Sequence, residues 1–232
     1  MKFAIIAAGE GSRLANEGVT KPKPLVELYG VPIIERLIRI FALNGATSIN
    51  IIVNEQQPET VEFLNTIDAG CPINIVVKST PSSMHSMHAL SHLLRDEKFC
   101  LTTVDTLFKE EEFAQYIKNL EECDCDGIMA VTDYIDDEKP LYVATNDDMQ
   151  ITAFCDMPNA DTHFISGGIY GLSPKALDIL DRCMADGVHR MRNFQRRLVE
   201  SGMKLTAFPM GKIIDIDHAE DILKAEKFIS EK

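Results

Sequence analysis

Short apolar runs alternate with stretches of helical period along the first half of the chain. Residues 3–8 form the first run. Its brevity and the glycine after it predict a strand buried in a parallel sheet. Ile34, Leu37, Ile38 and Phe41 recur at helical spacing after Pro32, and Gly45 supplies a stop. Residues 48–54 predict a second strand, 58–67 a helix and 73–78 a third strand. A polar stretch over 79–86 and a helix over 88–94 follow, then a strand over 99–104 and a helix over 109–121. This rhythm predicts an α/β fold: a doubly wound, mostly parallel, Rossmann-like sheet in three α/β/α layers. Ligands belong at the carboxyl ends of such strands.

The pattern changes at Gly127. Short strands with polar turns, such as Asn146-Asp147-Asp148, predict a small antiparallel lobe or sheet extension over about 127–171. Its last strand carries Gly167-Gly168, where backbone either approaches a sugar or phosphate closely or forms a β-bulge. Helices are predicted over 174–184 and 190–201, a strand over 204–208 and a last helix from His218. The 232 residues read as one domain, long enough for a large core. No apolar run reaches membrane-spanning length, and the N-terminus enters a strand without a signal-peptide pattern, so a cytoplasmic protein is expected. The six cysteines contain no Cys-x-x-Cys pair and are expected reduced, with Cys123-Asp124-Cys125 a polar turn.

A net charge of −13 argues against a nucleic-acid surface. It also means that a polyphosphate ligand needs local cations or divalent metal. Both are on offer. The first strand feeds Gly9 and Gly11, then Arg13, then Lys21-Pro22-Lys23-Pro24, where proline is expected to hold both lysines on stiff, extended backbone. A strand, a glycine loop and three cations suit a phosphate cradle. The three-glycine dinucleotide fingerprint is broken by Leu14, and the Walker A spacing is absent. Asp105 ends the strand over 99–104, where a hard carboxylate suits magnesium on phosphates; capping the next helix is the alternative. Asp215 and Asp217 share a face if their segment is a strand, and either offers a second carboxylate; Asp217 alternatively caps the last helix with Glu220. Ser82, Ser83, His85 and Ser86 follow a strand and either contact a nucleobase or cap a helix.

The run Ala7-Ala8-Gly9-x-Gly11-Ser12-Arg13-Leu14 followed by Pro22-Lys23-Pro24-Leu25 resembles the signature of the nucleotidyltransferase family, of the sugar-1-phosphate or NDP-sugar pyrophosphorylase type. The tail from Asp215 to Ile222 is similar to that family's Asp-x-Asp-Thr-Pro-Glu-Asp-Leu ending, with His218-Ala219 in place of Thr-Pro. The resemblance implies transfer of a nucleoside monophosphate from a nucleoside triphosphate to a sugar 1-phosphate, with release of pyrophosphate. By the match, Arg13 would steady the pyrophosphate and Lys23 would bridge the reacting phosphates. Asp105 with Asp217 or Asp215 would hold Mg2+. Ala7, Ala8, Gly9, Gly11, Ser12 and Ser83 would line the nucleotide, and Gly168 the acceptor. One departure stands out: many members carry Glu-Lys-Pro where this chain has Asp156-Met157-Pro158. Methionine supplies no charge, so Arg190 or Arg192 would substitute, or the acceptor differs. Cytidylyl transfer to a phosphorylated alcohol such as phosphocholine or inositol phosphate is the neighbouring reading. A non-catalytic nucleotide-sugar-binding protein is the third.

Overall fold

The computed structural model describes residues 1–136 and 139–230. Strand β1 (Lys2–Ala7) runs into a glycine loop and a short helix, α1 (Ser12–Asn16). A 3-10 turn over Lys23–Leu25 and a small hairpin of β2 (Glu27–Leu28) and β3 (Val31–Pro32) lead to α2 (Ile33–Leu43). Then come β4 (Ser48–Val53), α3 (Pro58–Leu64), β5 (Ile73–Val77), α4 (Ser83–Leu90) and β6 (Phe99–Thr103). The chain continues through β7 (Thr106–Leu107), α5 (Glu110–Glu122), β8 (Gly127–Thr132), β9 (Tyr142–Thr145), β10 (Ile151–Cys155) and β11 (Thr162–Leu172). It ends with α6 (Lys175–Ala185), α7 (Met191–Glu200), β12 (Leu205–Pro209), β13 (Ile214–Asp215) and α8 (Ala219–Ser230).

A nine-stranded sheet organises these elements, in the order β10-β9-β11-β6-β1-β4-β5, with β8 paired to β11 and β12 to β8. β1 lies parallel to both β4 and β6, and β4 parallel to β5. The chain moves outward from β1 through β4 to β5, then returns to the other side of β1 as β6. That reversal makes a switch point, which opens a crevice at the carboxyl ends of β1 and β6. The antiparallel stretch from β8 to β11 is the predicted sheet extension: β11 pairs directly with β6 and continues the same sheet.

Period-two alternation in β1 explains the three layers. Phe3, Ile5 and Ala7 face a core that includes α2, α5 and α8, with Phe41, Phe113 and Phe228. Ala4, Ile6 and Ala8 face the other core, with Met84 and Met87 of α4, Leu180 of α6 and Leu198 of α7. Helix α4 begins at Ser83, within the stretch expected to be polar loop. Met84, Met87 and Leu90 bury one face of it; the serines between them hide that period in the sequence. Lys23 opens a 3-10 turn instead of standing on extended chain.

Cys123 and Cys125 form a disulfide, in place of the reduced polar turn expected. The turn between α5 and β8 brings their Cα atoms to 5.3 Å, within bridging range. Among the described residues no helix is long and apolar enough to cross a membrane.

Candidate active site

Two cavities open side by side at the crevice. The first, of about 540 Å³, is walled by residues from Ile6 to Leu14, by Lys23, by Asn54, by the segment from Ser79 to Ser83, and by Asp105. The second, of about 630 Å³, lies toward β8, β11 and α8, with Thr132, Ser166, Gly167, Asp215, His218 and Lys224 on its walls. Arg13 and Asp217 line both.

The glycine loop is shaped by its neighbours. Gly11 takes a left-handed φ of 65°, and a Cβ there would stand 3.1 Å from Lys23 Cβ. A side chain at 11 would therefore strain the turn and push Lys23 away. Asn54, at the end of β4, donates to Ala8 O at 3.2 Å and accepts from Ser79 Oγ at 2.9 Å. It ties the glycine loop to the loop before α4. Its place at the carboxyl end of a strand is visible in the sequence, but the two partners it ties together are not.

Lys23 stands where the two cavities meet. Its ammonium donates to Asp105 Oδ2 and, at 2.7 Å, to Asp217 Oδ1. Arg13 Nη1 donates to the other oxygen of Asp217 at 2.8 Å. Only 11% of the Lys23 side chain is exposed. Burial by itself would lower its pKa, but Asp105 and Asp217 more than offset that, and the pKa lies above the ordinary lysine value. The two aspartates therefore converge on a point already held by a cation. Two hard oxygen donors with open faces suit a magnesium ion that takes its remaining ligands from phosphate and water. Among the described residues no group of three or more His, Cys, Asp or Glu forms a protein-only metal cage.

Asp215 and Asp217 go separate ways. β13 is only two residues long, so period-two alternation does not carry through to 217. Asp217 faces Lys23, whereas Asp215 accepts from Thr106 Oγ1 at 3.1 Å and lines only the second cavity. Protein packs densely behind Asp215 even though its surface opens to that cavity. This burial, reinforced by the charge of Asp105, raises its carboxyl to about 7. Asp217 does not cap α8 with Glu220 as its partner. Asp221 Oδ2 takes the Asp217 and His218 backbone N–H groups at 3.1 and 2.8 Å, and leaves the Asp217 carboxylate to Lys23 and Arg13.

Ala7, Ala8, Gly9, Gly11, Ser12 and Ser83 all line the first cavity. In the second cavity Gly167 forms part of the wall and Gly168 does not. Gly168 instead sits at a register shift of β11 with φ 74°, its carbonyl accepting from Thr102 Oγ1. The missing lysine has no substitute at Arg190 or Arg192. Met157 is 74% exposed and outside the cavity. Arg192 donates to Asp156 Oδ1 at 2.9 Å and to Lys139 O at 2.8 Å, and Arg190 is exposed at the start of α7. The lysines and arginine that do line the second cavity are Arg13, Lys139 and Lys224.

A pocket of nucleotide size shares Arg13 and Asp217 with a second small-molecule pocket and carries Lys23 and Asp105 beside them, an arrangement suited to group transfer at phosphate. Residues 2–232 match the Nucleotidyl transferase family, and the chain belongs to it. It is 24% identical over 239 residues to the low-salt glycan biosynthesis nucleotidyltransferase of Haloferax volcanii; the match covers 100% of this chain and 66% of that one. It is 25% identical over 244 residues to the UTP–glucose-1-phosphate uridylyltransferase of the same organism, covering 100% and 98%. The solved inositol-1-phosphate CTP transferase from T. maritima shares the fold at a TM-score of 0.80 and 19% identity, covering 99% and 96%.

Proposed function

We propose that the chain transfers a nucleoside monophosphate from a nucleoside triphosphate to a sugar 1-phosphate. The observation that carries this reading is the pair of adjoining cavities with Arg13 and Asp217 common to both, and with Lys23 and Asp105 bonded beside Asp217 in the first. The triphosphate occupies the first cavity and the acceptor the second. A phosphate oxygen of the acceptor attacks the α-phosphorus, the bond from that phosphorus to the bridging oxygen breaks, and pyrophosphate leaves with the electron pair. The acceptor oxygen is already ionised, so no protein base is needed. Positioning and charge neutralisation carry the rate. Lys23 bridges the reacting phosphates, and Arg13 steadies the leaving pyrophosphate. Asp105 and Asp217 hold Mg2+, which when bound neutralises charge on the triphosphate. Backbone from Ala7 to Ser12 cradles the nucleotide, with Ser83 on the base side. Gly167 gives the acceptor a close wall.

Met157 supports a second reading, cytidylyl transfer to a phosphorylated alcohol, because it leaves the family's sugar-phosphate lysine unfilled. One experiment addresses both: magnesium-dependent pyrophosphate release across four nucleoside triphosphates, with sugar 1-phosphates, phosphocholine and inositol 1-phosphate as acceptors. Turnover with a sugar 1-phosphate is expected. Turnover only with a phospho-alcohol replaces the first reading by the second. Nucleotide-sugar binding without any release would mark a non-catalytic protein.

A further inference from the structure

The tail departs from the family ending at His218-Ala219, and the reaction above makes no use of the change. In the structure both altered residues act on one carboxylate. Glu17, at the end of α1, accepts from His218 Nδ1 at 2.6 Å and from the Ala219 backbone N–H at 2.6 Å. A proline at 219 has no N–H to give, and a threonine at 218 has no imidazole. The two bonds therefore depend on this chain's own pair of residues. They join the helix that carries Arg13 to the tail that carries Asp217. Asp221 holds the His218 backbone N–H at 2.8 Å, so the residue is fixed at both ends.

Glu17 and His218 both line the acceptor cavity, and the His218 side chain is 38% exposed. An ionised carboxylate only accepts, so the imidazole proton facing Glu17 sits on Nδ1. Nε2 is then the polar atom the ring has left to offer a ligand. It accepts in the neutral ring and donates in the charged one. A hydroxyl group satisfies either form, because it both donates and accepts; a phosphate oxygen satisfies only the charged form. A hydroxyl on the body of the acceptor therefore suits the ring in both of its forms.

We propose that His218 recognises a hydroxyl group on the carbon skeleton of the acceptor, with Glu17 as its positioning residue. The inference rests on the proposed transfer to a phosphorylated acceptor. Its test uses the full chain and the substrate pair that the wild type turns over. His218→Ala raises the acceptor KM roughly five- to tenfold, the worth of one hydrogen bond, and leaves the nucleotide KM within about twofold. Glu17→Gln gives the same split in weaker form. An unchanged acceptor KM in His218→Ala overturns the proposal. So does an equal rise in both KM values, which is what a merely structural loss produces. If the wild type turns over no pair, the transfer reading fails on its own account. His218 is then judged on the unaltered chain by its imidazole NMR signal, titrated with glucose 1-phosphate and separately with inorganic phosphate. The same titration decides if His218→Ala does not fold. A larger shift with the sugar phosphate supports the hydroxyl contact; equal or absent shifts overturn it.

Discussion

Lys23 sets one ammonium against two carboxylates, and that contact has consequences for rate and for stability. In the proposed reaction Lys23→Ala removes the group assigned to bridge the phosphates, and Asp105→Ala one of the two carboxylates assigned to magnesium. Each is expected to cut pyrophosphate release at saturating substrate by at least about a hundredfold, the usual loss for one charge-stabilising group. A near-normal rate in either variant takes that residue out of the reaction. Stability follows from the same geometry. Lys23→Met takes away the cation between Asp105 and Asp217 and leaves Arg13 on Asp217 alone, so its thermal midpoint is expected to fall in EDTA. Magnesium then recovers most of the loss, because a divalent cation takes the position of the ammonium. Melting curves of the variant with and without Mg2+ check this. A midpoint indifferent to the metal argues against a site at these two aspartates.

At the scale of elements, β1 and α8 bring the two ends of the chain to one crevice. Phe3 anchors β1, stacked on Phe41 at 4.5 Å between ring centroids and fully buried. Phe3→Ala is expected to cost about 3–5 kcal/mol in denaturant unfolding. The start of α8 depends on Asp221, which is 8% exposed. Burial works against its charge, but the His218 N–H, the Lys224 ammonium and the Asp217 N–H more than offset that and lower its pKa. The folded value lies below the unfolded one, about 3.9, so this stabilisation is complete above the unfolded value and is lost as pH falls through the folded one. Asp221→Asn keeps an acceptor oxygen but drops the charge. Its thermal midpoint is expected below wild type at neutral pH, with the gap closing below about pH 4. A constant gap across that range would mean that the charge contributes nothing. These elements were legible to different degrees. β1, α2, β4 and β6 stood out because apolar period is local and strong, and Asp105 was found by its place at a strand end. The start of α4, the parting of Asp215 from Asp217, and the role of Glu17 were not legible. Each is settled by a partner distant in sequence or by the length of a two-residue strand, and neither leaves a periodic trace.

For the whole molecule, the stretch from β8 to β11 sets the second cavity beside the first, so that the two ligands of the proposed reaction would meet on shared residues. In the structure Arg13 and Lys23 are both engaged by Asp217. A nucleotide and Mg2+ in the first cavity would take Asp217 to the metal and turn Arg13 from Asp217 to the phosphates, at the wall it shares with the second cavity. Binding in one cavity should therefore favour binding in the other, and linkage requires the factor to be equal in both directions. Calorimetry with a non-hydrolysable triphosphate analogue and Mg2+ is expected to show the acceptor bound at least about fivefold more tightly than by the free protein, at the lower end of typical coupling. The reverse titration should return the same factor. Arg13→Ala should bring both factors close to one, since the residue common to the two cavities is then missing. Independent binding in the wild type would mean that Asp217 and Arg13 hold their apo pairing throughout, and that the shared wall transmits nothing between the two sites.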